Sequence, residues 1–168
     1  IRQGQRLLEQ LPDKAGTPPI ALHPYATHPD KAWKEAYWRQ LMELFESRGI
    51  PWIVIGRGNG MEGIPASRNF TNRTSLRETC ALLKSSSLLI TGDSGPMHLA
   101  GAVGTPVLAL FGPTTEEWGF FPAGPKDRVL ESQLDCRPCT LHGKKHCDRN
   151  HACMQSITPE QVMRALDE

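Results

Sequence analysis

The chain has 168 residues, a length that suits one domain around a single core. Nineteen Lys and Arg oppose eighteen Asp and Glu, a net charge of +1, so nothing in the balance draws it to nucleic acid or to an anionic membrane. No apolar run is long enough to span a bilayer, and the 15 Gly and 14 Pro are scattered as loop punctuation, without low complexity or repeats.

The chain opens at Ile1 and enters helix-like sequence almost at once, so a fragment of a longer protein is expected, and the lack of a signal peptide says little. Residues 1–18 read as the tail of a helix over 1–10, with Leu7 and Leu8 apolar, and a linker, "LPDKAGTPP" (11–19), that leads into the domain. Residues 19–168 read as one domain. "IALH" (20–23) is a short apolar strand ending before Pro24, and "YATHPDKAWK" (25–34) is a polar loop. Trp38, Leu41, Met42 and Phe45 fall at helical spacing within 35–48, and Gly49 stops that helix. "PWIVIG" (51–56) is a buried strand, followed by the glycine-rich turn 57–63. A helix over 74–86 has Ser75 as its cap and Glu78 completing a capping box. Strand 87–91, a short helix 96–103 with Pro96 in its first position, and strand 106–111 follow. "RVL" (128–130) is a short edge strand, and a last helix over 158–166 starts from Thr158 and Pro159.

Strands alternate with helices and are continuously apolar. That pattern predicts an α/β, Rossmann-like parallel sheet with helices on both faces. Right-handed crossovers then put every strand-to-helix loop at the carboxyl edge, where ligands bind. The loops there are 25–34, 57–63, 92–95 and 112–118.

The segment "TGDSGPMHLAGAVGTPVLALFGPTTEEWG" (91–119) carries the densest chemistry. "GDSG" turns from a strand into a helix whose first amides lack partners and whose dipole favours an anion. Gly95 lets a phosphate approach the backbone, and Ser94 supplies a hydroxyl. Asp93 would repel phosphate, so it suits sugar hydroxyls or a cation; equally, Asp93 or Ser94 is simply the helix cap. His98 lies near the same pole, either at the anion or packed against a neighbouring loop. Gly112, Pro113 and Thr114 make a tight turn at the same edge, either an ordinary loop or another hydroxyl for the site.

This segment closely resembles the signature of glycosyltransferase family 9, the bacterial ADP-heptose:lipopolysaccharide heptosyltransferases. "HPYATHPDKAWKEAYWRQL" looks like that family's phosphate loop, with Lys31 two residues before Trp33; "NRTSLRETCALLKSSSLLITGDSG" and the tail "CRPCTLHGKKHCDRNHACMQSITPEQVMRAL" are also similar. The resemblance runs from about Ile20 to the end. It implies the carboxyl-terminal, donor-binding half of a two-domain GT-B enzyme, an inverting transferase moving heptose from ADP-heptose to the lipopolysaccharide inner core. The amino-terminal acceptor half, with the expected general base, is absent from this sequence. The resemblance gives Lys31 the diphosphate leaving group and Thr27 a phosphate oxygen. Ser94 and Gly95 hold the diphosphate, Asp93 the sugar, and His98 lies near the phosphates. Gly56 and Thr74 frame adenosine. Family members often place an acid soon after the glycine ending the second strand; here "GRGNGME" delays it to Glu62, which leaves the ribose contact in doubt. No acid cluster suggests a magnesium site, so no cofactor is expected beyond the ADP-heptose substrate. The resemblance also implies action at the cytoplasmic face of the inner membrane, with a lipopolysaccharide core acceptor, peripheral membrane contact and no nucleic acid. Two other readings stand beside it: a nucleotide-sugar-binding module inactive as an isolated chain, and another GT-B enzyme such as a sugar-nucleotide epimerase.

Cys80 lies alone in a helix and reads as core. The remaining cysteines, Cys136, Cys139, Cys147 and Cys153, cluster with Arg137, Lys144, Lys145 and Arg149 and three His between them. They suit a zinc ion, disulfides or reduced thiols beneath a loop. A zinc-knuckle nucleic-acid module is an alternative for this segment alone, and its basic residues also suit an anionic acceptor lipid. Turns this short hold the four thiols close together.

Overall fold

The structure is a computed structural model and describes residues 6, 7, 9, 16–140 and 146–168. Five strands, β1 (Ile20–His23), β2 (Trp52–Val54), β3 (Leu88–Gly92), β4 (Val107–Phe111) and β5 (Arg128–Glu131), form one sheet in the order β2-β1-β3-β4-β5. Every neighbouring pair is parallel, β3 and β4 included. The expected fold class holds. The chain steps from β1 outward to β2, then crosses back to β3 on the other side, so the switch point of the sheet lies between β1 and β3.

Side chains alternate across the sheet and build two cores. Ile20, Leu22, Trp52, Val54, Ile90, Leu108 and Leu110 face one side. They pack under α1 (Glu35–Ser47), the short α4 (Ala152–Gln155) and α5 (Pro159–Asp167), which supply Trp38, Leu41, Phe45, Met154, Val162 and Met163. Ala21, Ile53, Leu89, Val107, Ala109 and Phe111 face the other side, against Leu82 and Leu83 of α2 (Leu76–Lys84) and Met97 and Ala100 of α3 (Gly95–Val103). Residues buried on both faces explain why the strands read as unbroken apolar runs.

Two helix starts match their sequence signatures. Ser75 and Glu78 form a reciprocal capping box on α2, and Thr158 and Gln161 form another on α5. Three details differ. Helix α3 begins at Gly95, so Pro96 is its second residue and its N-cap is Ser94, whose hydroxyl does not cap. Strand β2 stops at Val54, because the Gly56 backbone at φ 120° turns away from the sheet. The short α4 was not expected; it is too brief to show a periodicity. Of the helix tail expected at 1–10, Arg6 and Leu7 are helical, and Leu7 packs against the α2–α3 core. Leu8, most of the linker, Lys144 and Lys145 lie outside the described residues.

Candidate functional site

Strand β1 ends at His23, register partner of Thr91 on β3. Both residues sit at the carboxyl edge beside the switch point. His23 Nδ1 lies 3.1 Å from Thr91 Oγ1 and 3.3 Å from Ser94 Oγ, and the two hydroxyls are 2.8 Å apart. This closed triangle explains why Ser94 does not cap α3: its hydroxyl is turned inward. His23 is 6% exposed, and burial lowers its imidazole from 6.5 to about 4, so it is neutral near pH 7.

A cleft of about 500 Å³ opens above this triangle. Its lining combines the loop after β1 (Tyr25, Ala26, Thr27), the turn after β2 (Gly56, Arg57), the start of α2 (Thr74, Leu76, Thr79) and the start of α3 (Ser94, Gly95, Pro96, Leu99), with His23 at its base. The walls are close-fitted at Gly56. A Cβ there would meet His23 Cδ2 at 2.5 Å and Tyr25 Cδ2 at 2.9 Å, and the φ of +120° already demands glycine. Tyr25 fixes the opposite wall through its hydroxyl, 2.7 Å from Thr71 Oγ1, and burial raises its phenol above the ordinary value. Thr74 Oγ1 lies 2.9 Å from Thr79 Oγ1, which holds the α2 rim. Leu76 stands on that rim 66% exposed, an apolar side chain offered to the cleft.

The charged pair lies just beside the cleft. Lys31 ends a 3-10 turn, Pro29–Lys31, and its loop is anchored two residues later by Trp33. The Trp33 indole is buried, donates to Ile157 O at 2.8 Å and meets Trp38 edge-on. Gly92 keeps this loop close: a Cβ on it would stand 3.4 Å from Lys31 O. So placed, Lys31 Nζ lies 2.5 Å from Asp93 Oδ2. Thr114 Oγ1, buried in the loop after β4, donates to the same oxygen at 3.2 Å. His23, Lys31, Trp33, Gly92 and Asp93 share a small recess next to the main cleft.

The residues singled out from sequence therefore fall into three groups. Thr27, Gly56, Thr74, Ser94 and Gly95 line the cleft together. Lys31 and Asp93 adjoin it as an ion pair. His98 is exposed on α3, and Glu62 is exposed with its carbonyl accepting from Arg39 at 2.9 Å; neither lines the cleft. The helix start offers less than its sequence suggests. Pro96 has no amide hydrogen and Met97 N donates to Ser94 O at 3.1 Å, which leaves the dipole and the backbone at Gly95. Sequence reasoning missed His23, Tyr25, Arg57, Leu76 and Leu99. For His23 a signal existed, a polar residue ending an apolar strand immediately before a loop.

The cleft suits an extended ligand with an anionic middle. Leu76, Leu99, Thr74 and Thr79 line it, the α3 start turns its dipole toward it, and Lys31 stands in the adjoining recess beside Asp93. Among the described residues no Asp or Glu lines it, and Asp93 stands in the adjoining recess.

The glycosyltransferase family 9 (heptosyltransferase) model matches residues 2–148. The chain is similar to lipopolysaccharide heptosyltransferase 1 of Pseudomonas aeruginosa, 35% identical over 153 residues covering 83% of this chain and 40% of that protein. Among solved structures it resembles Escherichia coli ADP-heptose lps heptosyltransferase II, with TM-score 0.74, 21% identity, and 99% of this chain against 50% of that one. E. coli heptosyltransferase WaaC with ADP gives TM-score 0.70 and 21% identity, covering 98% of this chain and 48% of that one. The chain spans about half the length of these relatives.

Proposed function

The chain belongs to glycosyltransferase family 9, and from that premise we propose that residues 19–168 are the donor-binding half of a GT-B heptosyltransferase. The substrate is ADP-heptose and the acceptor the lipopolysaccharide inner core, reached through the other half of the enzyme at the cytoplasmic face of the inner membrane. The observation that supports this reading is that Ser94 and the start of α3 line a cleft at the switch point of the sheet, with Lys31 in the recess adjoining it. The names of relatives, one of them solved with ADP, support the choice of nucleotide.

In this reading adenosine lies between Leu76 and Leu99, with Gly56 and Thr74 as frame. The diphosphate lies at Ser94 and Gly95, with Thr27 on a phosphate oxygen. Lys31 turns from Asp93 to the leaving diphosphate, and Asp93 becomes available to the sugar hydroxyls. Cleavage builds oxocarbenium-like charge on the ring and negative charge on the diphosphate. A fixed ammonium and an oriented helix dipole stabilise the latter without a metal in the cleft. His98 contributes only from outside the cleft wall.

That the described residues lining the cleft hold no carboxylate supports one further element of this reading: the general base comes from the other half, so this chain alone binds donor without transferring it. It also counts against an epimerase, which needs catalytic acids here. Calorimetry with ADP, UDP and GDP tests the reading. ADP should bind most tightly; equal affinity for all three, or none, would overturn the donor assignment.

A further inference from the structure

Cys136, Cys139, Cys147 and Cys153 all line one cavity of about 250 Å³, which shares no lining residue with the donor cleft. They reach it from three places: the turn after Leu134, the turn before His151, and the start of α4. Each is positioned independently. Cys153 is buried, with Sγ so close to Gly112 that a Cβ there would come within 3.2 Å. The Cys139 backbone donates to Pro113 O at 3.1 Å. Cys147 Sγ accepts a hydrogen bond from His151 N at 3.2 Å. All five cysteines of the chain are thiols, not disulfides.

Packing does not explain this arrangement. A structural cysteine normally serves as a small buried apolar side chain, whereas Cys136, Cys139 and Cys147 are only half-buried around a void. A backbone amide aimed at sulfur is the kind of contact that steadies a thiolate ligand. His146, His151 and Arg149 also border the cavity, and Arg149 is paired with Asp135.

We propose that this cavity is a site for one thiolate-seeking transition-metal ion, zinc or iron, held by Cys136, Cys139, Cys147 and Cys153. Sulfur donors select these ions over magnesium or calcium. Among the described residues no three His, Cys, Asp or Glu side chains already stand close enough to hold an ion. A metal–sulfur bond is about 2.3 Å, so binding draws the four sulfurs inward around the ion. Binding converts the thiols to thiolates and releases their protons to water.

The site has a structural consequence. His151 Nε2 lies 2.7 Å from Asp30 Oδ1, next to Lys31. Arg137 donates to Gly112 O and to Thr114 O, and Thr114 holds Asp93. A metal among these cysteines therefore steadies the loop that carries Lys31 directly, and Asp93 only through Thr114 of the loop after β4. The metal site itself does not depend on the donor reading.

Elemental analysis of the protein purified anaerobically without chelator tests the proposal. About one zinc or iron per chain is expected, and which of the two is read directly. The Cys136→Ser/Cys139→Ser variant should lose it, and Cys80→Ser should keep it. Should the double variant not fold, wild-type protein suffices: chelation should expose four thiols to alkylation and speed hydrogen exchange over 27–33 and 112–116. Cobalt added to the stripped protein should give intense thiolate-to-cobalt absorption. Absence of metal together with no cobalt–thiolate band overturns the proposal. So does metal retained by the double variant, or disulfides among the four found by mass spectrometry of native protein.

Discussion

Lys31 Nζ and Asp93 Oδ2 stand 2.5 Å apart, joining the loop after β1 to the loop after β3 across 62 residues. Both side chains are largely buried, 13% and 11% exposed, so the pair is more strongly coupled than a surface salt bridge. Any anion that Lys31 binds competes with Asp93. Removing Lys31 both deletes a charge-assisted contact and leaves the carboxylate facing the anion. Lys31→Ala should weaken ADP by about 1.5–3 kcal/mol, roughly 10- to 150-fold. Asp93→Ala should leave ADP affinity unchanged or a few-fold tighter, while abolishing transfer in the complete enzyme. Calorimetry on both variants decides, and a loss with Asp93→Ala as large as with Lys31→Ala contradicts the assignment.

Gly56 is the tightest point of the cleft wall. Gly56→Ala forces a Cβ into His23 and Tyr25 at a φ of +120°, where side chains are strained. Backbone strain alone is about 1–3 kcal/mol, and the clash with His23 adds to it. The variant should melt several degrees lower and lose ADP binding. Unchanged melting would show that the wall yields easily.

His23 gives folding stability a pH dependence. Its folded-state imidazole is lowered to about 4 by burial, against 6.5 unfolded. The unfolded chain takes up a proton as pH falls below 6.5 and the folded one does not, so this contribution is complete above about pH 6.5 and drains away toward pH 4. The window amounts to about 3 kcal/mol. Urea denaturation at pH 7.5 and 4.5 should show His23→Gln losing less stability than wild type over that interval. Equal losses would mean that His23 protonates freely in the folded state.

A change at Leu76 tests the two ends of the proposed ligand separately. Leu76→Ser removes an apolar side chain that is 66% exposed and therefore carries little folding energy. ADP should weaken by about 1 kcal/mol from lost apolar contact, while inorganic pyrophosphate should bind as before. Parallel weakening of both would place the base elsewhere.

The sequence by itself determined the sheet, its longer helices and the carboxyl edge that carries the candidate site. Apolar strands such as "VLALF", the Ser75–Glu78 capping box and the Thr158–Gln161 box depend on residues a few positions apart, and short-range physics sets them. The signature around Asp93, Ser94 and Gly95 is equally local. What only the tertiary structure decided are pairings across the switch point. Strand order sets His23 opposite Thr91, and that register, not any spacing in the chain, turns the Ser94 hydroxyl inward and buries the imidazole. Lys31 and Asp93 read separately as a phosphate ligand and a sugar ligand; Trp33 in the core and the bare Gly92 bring their loops within contact. The closeness of the four cysteines was legible in their short spacing, but that they ring one cavity follows from α4 packing beneath β4 at Gly112. Contacts between residues this far apart follow from how layers pack, which a single chain's local pattern does not encode.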